Sequence, residues 1–585
     1  MKYKVRQESN KITQKQDVIN KVLSSRGIKE PESWFSMNDE DLSLHFIPPY
    51  LLDDIDEAVE LLRFACDSRW KICIVVDSDV DGFTSAAIMY NFLTWNWDYY
   101  KANPPSYILH DGKGHGLQDT IDRIPEDTQL VVIPDAGTSD FKEQDALVER
   151  GCKVIILDHH QALERNSSED VVTVNVQLSP RYPNKALTGA GVVWKFVAEY
   201  LGCSFTDRWA DLCAFGNISD MADYRELEIR AIVKLGFDEN RINNPFMKAL
   251  AEQNAYTLQK YGGYCYKGCA FALTPFVNAI CRSGTRDEKD LVFKAMLDIN
   301  KDALVPSGKR GFKGTSVSMA EEAVRVALNV KARQTKEQNQ AMEFIENEIQ
   351  EQGLLSHSVL SVICPSSKVR PEVAGLVANK LQDSYGRPSI VLVDYPEEGV
   401  YRGSIRNSEK SAVVDFRRTL ESTKLVNYAS GHASAAGVEI DYDKYDDFIS
   451  ALDALVDPTQ EKEEIVDFEY VGRNDLNPNV FAAADDMKDC WGQQVPPLKV
   501  AVKEVSLDGA DIVLLSPDRA PTMKITLPNG VQMLKFKSSP EEVESMKGKN
   551  LCLTAIGSPS INRYNDNENN QLIIDDYAVE EEWIF

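Results

Sequence analysis

Three aspartates share one short phrase, Asp77-Ser-Asp79-Val-Asp81-Gly82. Further along stand Asp135, the triplet Asp158-His159-His160, and Asp220 in Ile218-Ser-Asp-Met-Ala-Asp223. Carboxylate and imidazole donors without cysteine suit hard-to-borderline divalent ions such as Mn2+ or Mg2+ better than structural zinc. Two such ions close together can clamp the attacking and leaving oxygens of a phosphoryl transfer and generate hydroxide at neutral pH. A histidine beside them can donate to the phosphate oxygens. One aspartate in a loop is usually a cap or turn residue, and Asp-x-Asp-x-Asp-Gly also opens calcium loops. An EF-hand needs a glutamate six residues after the glycine, where Ile88 stands, so that reading fails. The whole set together points to metal chemistry.

The elements that carry these residues repeat one phrase. Lys71 to Asp77, Leu130 to Asp135 and Lys153 to Asp158 are apolar runs that end in a carboxylate. Continuous apolar runs of this length read as buried parallel strands. A helix-like segment or loop follows each of them, as Gly82 to Leu93 follows the first. Strand, acidic tip and helix, repeated, predict a doubly wound α/β sheet. Ligands of such sheets bind beyond the carboxyl ends of the strands, so the three acidic tips should converge on one crevice.

The chain has 585 residues, a soft expectation of about four domains. We expect a helical lead-in over 1–65, the metal-bearing α/β domain over 66–317 and a connecting helix over 318–355. A smaller α/β domain over 356–460 and a C-terminal β-barrel of five or so short strands over 461–585 complete the reading. Within the second domain, residues 189–300 read as mostly helical and 301–317 as loop. Hydrophobic residues are 43% and charged residues 26%, which excludes wholesale disorder and fibrous folds. No apolar run is long enough to span a membrane, and no secretory h-region follows Met1. Eleven scattered cysteines suit structural roles in a reducing cytoplasm. The net charge of −27 argues against a protein that coats duplex DNA by electrostatics alone.

The motifs resemble those of the DHH phosphoesterase superfamily, and their order is similar to its RecJ branch of 5′→3′ single-strand-specific exonucleases. Arg26-Gly-Ile28, Pro49 to Leu61, His115-Gly-Leu117, Thr188-Gly-Ala-Gly191, Gly216-Asn-Ile-Ser-Asp220 and Pro275-Phe-Val-Asn278-Ala279 share in it. Gly403-Ser404-Ile-Arg406 and Gly431-His432 resemble the DHHA1 module, and Trp491 to Pro497 stands where RecJ proteins enter their OB-fold. The resemblance implies two Mn2+ (or Mg2+) ions held by Asp79, Asp81, Asp135, His159 and Asp220. Asp77 and His160 would lie beside them, with His160 on the scissile phosphate, and Asp158 would orient the histidines. Ser404, Arg406 and His432 would hold nucleic-acid phosphates, and Asn278 and Arg282 would lie near the 5′ end of single-stranded DNA. The implied products are nucleoside 5′-monophosphates, in DNA repair, recombination or replication. Phe276 stands where arginine is usual, Arg370-Pro-Glu372 where His-Pro-Gly is usual, Ser430 in a glycine pair and Ile405 in place of a glycine. These departures touch the DNA path rather than the metals.

Charge adds two further expectations. Residues 301–336 hold eight basic and three acidic side chains, which nominates Lys309 and Arg310 as part of a DNA channel. Residues 461–585 hold 12 basic and 23 acidic ones, so DNA stacking near Tyr564 and docking of a single-strand-binding or replication protein are both kept for the barrel. The ending Glu580 to Phe585, acidic then apolar, resembles in style the partner-recruiting tips of single-strand-binding proteins. Two other readings stay open: a small-substrate phosphodiesterase acting on oligoribonucleotides or cyclic dinucleotides, and a non-catalytic replication scaffold.

Overall fold

Five apolar strands form the parallel sheet that the acidic tips anticipate. They are β1 (Ile72–Val76), β2 (Ser106–Leu109), β3 (Leu130–Pro134), β4 (Lys153–Asp158) and β5 (Val171–Asn175), in the spatial order β2-β1-β3-β4-β5. The computed structural model describes residues 2–7, 14–111, 114–312, 314–457, 460, 462–472, 476–508, 511–564 and 567–581. Lys313 and the last four residues therefore lie outside the described residues, as does the side chain of Tyr564.

Strands β1, β3 and β5 are buried along their whole length, because helices cover both faces of the sheet. Val131, Ile133, Val154 and Ile156 meet Leu147 of α2 (Phe141–Glu149), with Cys73 and Val75 in the same cluster. Full burial of an aliphatic side chain of this kind contributes roughly 1.5–3 kcal/mol. Helix α1 (Val80–Asn96) packs against α3 (Gly189–Tyr200) and α4 (Ala210–Ser219). It is buried from Val80 to Thr94, so it carries apolar residues on every side rather than along one stripe. Further helices follow to α5 (Thr274–Ser283) and beyond. Residues 301–317 are not simply loop: Leu304–Pro306 and Ser316–Ser318 pair as an antiparallel hairpin.

The chain divides into two compact units, one of residues 5–328 and 466–585 and the other of 1–4 and 329–465. In the first unit the N-terminal lead-in touches the C-terminal region. Helix Lys15–Ser25 buries Val18, Ile19, Val22 and Leu23 at helical spacing and packs on helix Pro478–Asp486. The Arg26 guanidinium grips both oxygens of the Asp467 carboxylate, at 2.5 and 2.8 Å. The C-terminal sheet has seven strands, and two of them, Asn550–Tyr564 and Asn567–Glu581, run 15 residues each. Its strands are thus more numerous, and these two longer, than the sequence suggests. Register shifts at Val502/Val505 and Ile556/Gly557 break its ladders, as β-bulges do in small barrels of the OB type.

The second unit has a five-stranded sheet: β6 (Leu360–Cys364), β7 (Ser389–Tyr395), β8 (Val400–Arg406), β9 (Tyr428–His432) and β10 (Ala435–Asp441), ordered β9-β10-β8-β7-β6. Helix α7 (Pro371–Tyr385) and the end of α6 (Met319–Glu351) cover one face through Val362, Val391 and Val393. Phe416, Leu420, Phe448 and Leu452 cover the other. Among the described residues no helix is long and apolar enough to cross a membrane.

Candidate metal centre and nucleic-acid interface

The order β2-β1-β3-β4-β5 reverses direction between β1 and β3, so a crevice opens there at the carboxyl ends. Asp77 follows β1, Asp135 follows β3, Asp158 ends β4, and His159 and His160 come next. Asp79 caps α1 by accepting the Gly82 amide at 2.9 Å. Asp81, in the first turn of α1, reaches the N-terminus of α3 and accepts from Thr188 Oγ1 (2.9 Å), Gly189 N (2.7 Å) and Ala190 N (3.0 Å). A helix N-terminus is a natural seat for a carboxylate. Asp220 caps the end of α4. The approach is close: a Cβ on Gly189 would lie 2.3 Å from Asp135 Oδ1, so no other residue fits there unchanged.

The side chains overlap as three groups, Asp135/His159/His160, Asp81/His159/Asp220 and Asp77/Asp79/Asp135, each with ligand atoms within 4.8 Å of one another. His159 Nε2 lies 3.1 Å from Asp135 Oδ1, 3.7 Å from Asp220 Oδ2 and 3.8 Å from Asp81 Oδ2. Asp135 stands at φ 67°, in the left-handed region, and its Oδ1 is buried without a hydrogen bond. Among the described residues no lysine or arginine forms an ion pair with these five carboxylates. Burial, then the charges of Asp77 and Asp81, pushes Asp79 up to about 6. Burial, then Asp81 and Asp79, pushes Asp220 up to about 8. Asp135 is driven well up by burial and by Asp81, Asp79, Asp77 and Asp220. Burial pushes His159 down, which keeps an imidazole lone pair free at neutral pH. Buried carboxylates that repel one another, with an orphaned oxygen among them, fit divalent cations and little else.

These shifts set a pH dependence for the chelated protein. Carboxyls raised in the folded state hold protons that the unfolded chain, at the ordinary value of 3.8, has released. The stability they contribute is complete at low pH and is lost as pH rises through about 6 and about 8. Thermal melts of the chelated protein between pH 5 and 8.5 should fall along that range, and added Mn2+ should flatten the curve. A melt that rises with pH without metal would contradict the charge balance drawn here.

A second ring of groups holds the histidines. The Asp158 carboxylate accepts from His160 Nδ1 (2.9 Å), Thr138 Oγ1 (2.6 Å), the Thr138 amide (3.1 Å) and the His159 amide (2.7 Å). Burial alone would raise it, but the His160 hydrogen bond and the charges of both histidines hold it below the usual carboxylate range. Burial lowers His160 in turn, yet the Asp158 bond and charge and the charges of Asp220 and Asp77 carry it up to about 9. Asn175 Nδ2 donates to the His160 carbonyl at 3.0 Å, and Gln177 Nε2 to that of His159 at 3.1 Å. Asp77 accepts from His115 Nδ1 (2.9 Å) and the Gly116 amide (3.0 Å), and the His115 ring lies 4.7 Å from that of His160. Sequence reasoning missed Thr138, Asn175 and Gln177. One signal was available, since Val171 to Asn175 is a further apolar run with a polar tip.

The helix that carries Asn278 and Arg282, two of the expected nucleic-acid residues, passes along the same crevice. Thr274, at the start of α5, shares a 2.9 Å hydroxyl–hydroxyl bond with Ser219, the neighbour of Asp220. Near its end the Cys281 carbonyl accepts from Ser78 Oγ at 3.1 Å, between Asp77 and Asp79. Helix α5 therefore spans the rim, with Asn278 and Arg282 one turn apart on one face. Lys309 and Arg310 are exposed in the hairpin loop, with Lys309 Nζ 5.0 Å from the Phe312 ring centroid.

Ser404, Arg406 and His432 lie in the second unit and are described there alone. Ser404 pairs with Gly437, which pairs with Ser430, and Arg406 pairs with Ala435, which pairs with His432. Directly paired residues share a face, so these polar side chains flank a strip of small residues. Ile405 points the opposite way and is fully buried, so its departure from the family pattern leaves this face untouched.

The fold and this cluster define a doubly wound α/β protein with a divalent-metal centre at its switch point. Residues 71–217 match the sequence profile described as DHH family, N-terminal domain, and 356–457 that of the DHHA1 domain. A Bacillus subtilis protein provisionally named SPbeta prophage-derived single-strand DNA-specific exonuclease YorK is 32% identical over 576 residues, 96% of both chains. Single-stranded-DNA-specific exonuclease RecJ of B. subtilis is 26% identical, over 97% of this chain and 69% of its own. Among solved structures, RecJ of Thermus thermophilus in complex with Mn2+ superposes at a TM-score of 0.70 with 21% identity, over 96% of this chain and 78% of that one. The chain belongs to the DHH phosphoesterase superfamily, in its RecJ-like branch of hydrolytic nucleases.

Proposed function

We propose that the protein hydrolyses single-stranded DNA from its 5′ end and releases nucleoside 5′-monophosphates. The observation that carries this reading is the nest of unneutralised carboxylates at the switch point, in a chain related along nearly its full length to single-strand exonucleases. Asp79, Asp81, Asp135, His159 and Asp220 would hold two Mn2+ or Mg2+ ions, with Asp77 beside them. When bound, such ions activate water and stabilise charge on the phosphate. Asp158 fixes the His160 ring through Nδ1, which leaves Nε2 to donate to the scissile phosphate. The Asp158 hydrogen bond and charge favour the protonated ring, the form in which Nε2 is a donor. Asn278 and Arg282 on the rim suit a 5′-terminal phosphate, and Ser404, Arg406 and His432, within their own unit, suit nucleic-acid phosphates. The acidic C-terminal region is the candidate dock for a single-strand-binding or replication protein.

The test is digestion with Mn2+ of single-stranded DNA labelled at either end, beside duplex DNA and short RNA. Release of the 5′ label as mononucleotide, with duplex intact, is expected. Cleavage confined to oligonucleotides of a few residues would move the reading to small substrates. Reversing Lys309 and Arg310 to glutamate should weaken single-strand binding and lower the slope of log affinity against log salt by about 1–2. Unchanged binding in a salt titration would remove the hairpin from the DNA path.

A further inference from the structure

Between the sheet domain and α5, two short helices, Ala255–Lys260 and Tyr266–Ala272, are joined through Gly262 and Gly263 at φ 102° and 80°. This turn lays Tyr261 against Phe271, with ring centroids 5.1 Å apart and planes at 25°. Phe271 keeps 56% of its surface exposed, and nearby in sequence Tyr256 keeps 86%. Lys260 Nζ lies 5.6 Å from the Tyr261 centroid. Residues 245–284 carry Lys248, Lys260, Lys267 and Arg282 against the single acid Glu252, inside a chain of net charge −27. Exposed rings among cations, on an acidic protein, are complementary to a polyanion with accessible base faces. A duplex hides those faces in its stack.

The pair also continues the catalytic rim. Phe271 precedes Thr274 by three residues, at most about 11 Å of chain. Thr274 bonds Ser219 beside Asp220, and α5 then runs to Cys281 at the Asp77–Asp79 loop. Asn278 and Arg282 stand on this helix, and the stacked rings stand beyond its other end.

We propose that Tyr261 and Phe271, with Lys260 and Lys267, form a stacking platform for single-stranded DNA where it passes the Asp220 side of the crevice. This rests on the single-strand reading above and adds a site to it. The occupant is an extended strand whose bases lie on the exposed ring of Phe271 while the lysines meet its phosphates. Phe271 is exposed and Tyr261 half-buried, and neither is among the buried core residues, so truncating them leaves the core intact.

The test compares the full-length protein with its Tyr261→Ala/Phe271→Ala variant in chelator, so that no strand is cut. Affinity for a long thymidine oligonucleotide should fall roughly tenfold or more. Melting temperature and Mn2+ uptake should not change, and Phe271→Trp should retain the affinity. In the unmutated protein, 5-iododeoxyuridine within the oligonucleotide should photo-cross-link to Tyr261 or Phe271. Equal affinity of variant and parent, or cross-links only elsewhere, would overturn the platform while leaving the nuclease reading intact. If the parent protein neither binds nor cleaves single strands, the single-strand reading itself fails and the platform with it. The two failures are therefore told apart by the parent protein.

Discussion

Asp135→Asn should abolish hydrolysis and at the same time stabilise the metal-free protein. The two effects have one cause. Asp135 sits buried among Asp77, Asp79, Asp81 and Asp220, with one oxygen unbonded and a left-handed backbone. Asparagine keeps the shape and tolerates that backbone at least as well. It removes the charge that repels four neighbours, and that gain grows as pH rises because the carboxyl must otherwise hold a proton or accept the repulsion. A gain of about 1–2 kcal/mol is in the range that relaxing a functional site provides. The same charge is what a divalent ion needs, so losing it should cost roughly 10³-fold or more in kcat/KM, several kcal/mol of barrier. Elemental analysis, melts with and without Mn2+, and rates on single-stranded DNA check all three parts. A variant that melts lower than the parent in chelator would refute the account of strain, and one that keeps its rate would refute the metal role.

The site was legible because its chemistry sits at strand tips. Asp77, Asp135 and Asp158 each follow an apolar run, and a residue at the end of a buried parallel strand has little choice but to enter the crevice. The family motifs named His159, His160 and Asp220 in the same way. What the sequence did not disclose was what the residues of this crevice bond to. Asp81 is bonded to Gly189, 108 residues away, and Ser78 to Cys281, 203 residues away. Such pairs leave no periodicity in a single chain. Helix α6 was clear because its pattern is long. The hairpin after Leu304 was not, since three-residue strands offer too little alternation to read. The C-terminal strands were undercounted for a related reason: Asn562-Arg-Tyr and Asn567-Glu-Asn-Asn570 look like loop yet lie within two long paired strands. The lead-in's contact with the C-terminal region includes the pair Arg26 and Asp467, 441 residues apart, and no local rule links them.

His160→Ala should separate chemistry from metal binding. The ring is half exposed at the mouth of the cluster, and its Nδ1 is committed to Asp158, so Nε2 is the atom left for a substrate. If that atom donates to the phosphate as charge builds there, losing it should lower kcat about 10²–10³-fold. KM and Mn2+ content should change little, because the interaction is made mainly in the transition state. His160 also falls within ligand distance of Asp135 and His159, so the competing role is a metal ligand. That role predicts a different pattern: loss of bound Mn2+, and recovery of rate at high Mn2+ concentration. Asp158→Asn sharpens the choice. It weakens the hold on the ring and removes the charge that raises its protonation, while every carboxylate facing the crevice remains. A phosphate-contacting His160 should then lose activity progressively as pH rises, as the ring gives up its proton. A metal-ligating His160 should instead gain activity over the same range, since a neutral imidazole is what a metal binds. The sign of that pH slope in Asp158→Asn therefore decides which role His160 has.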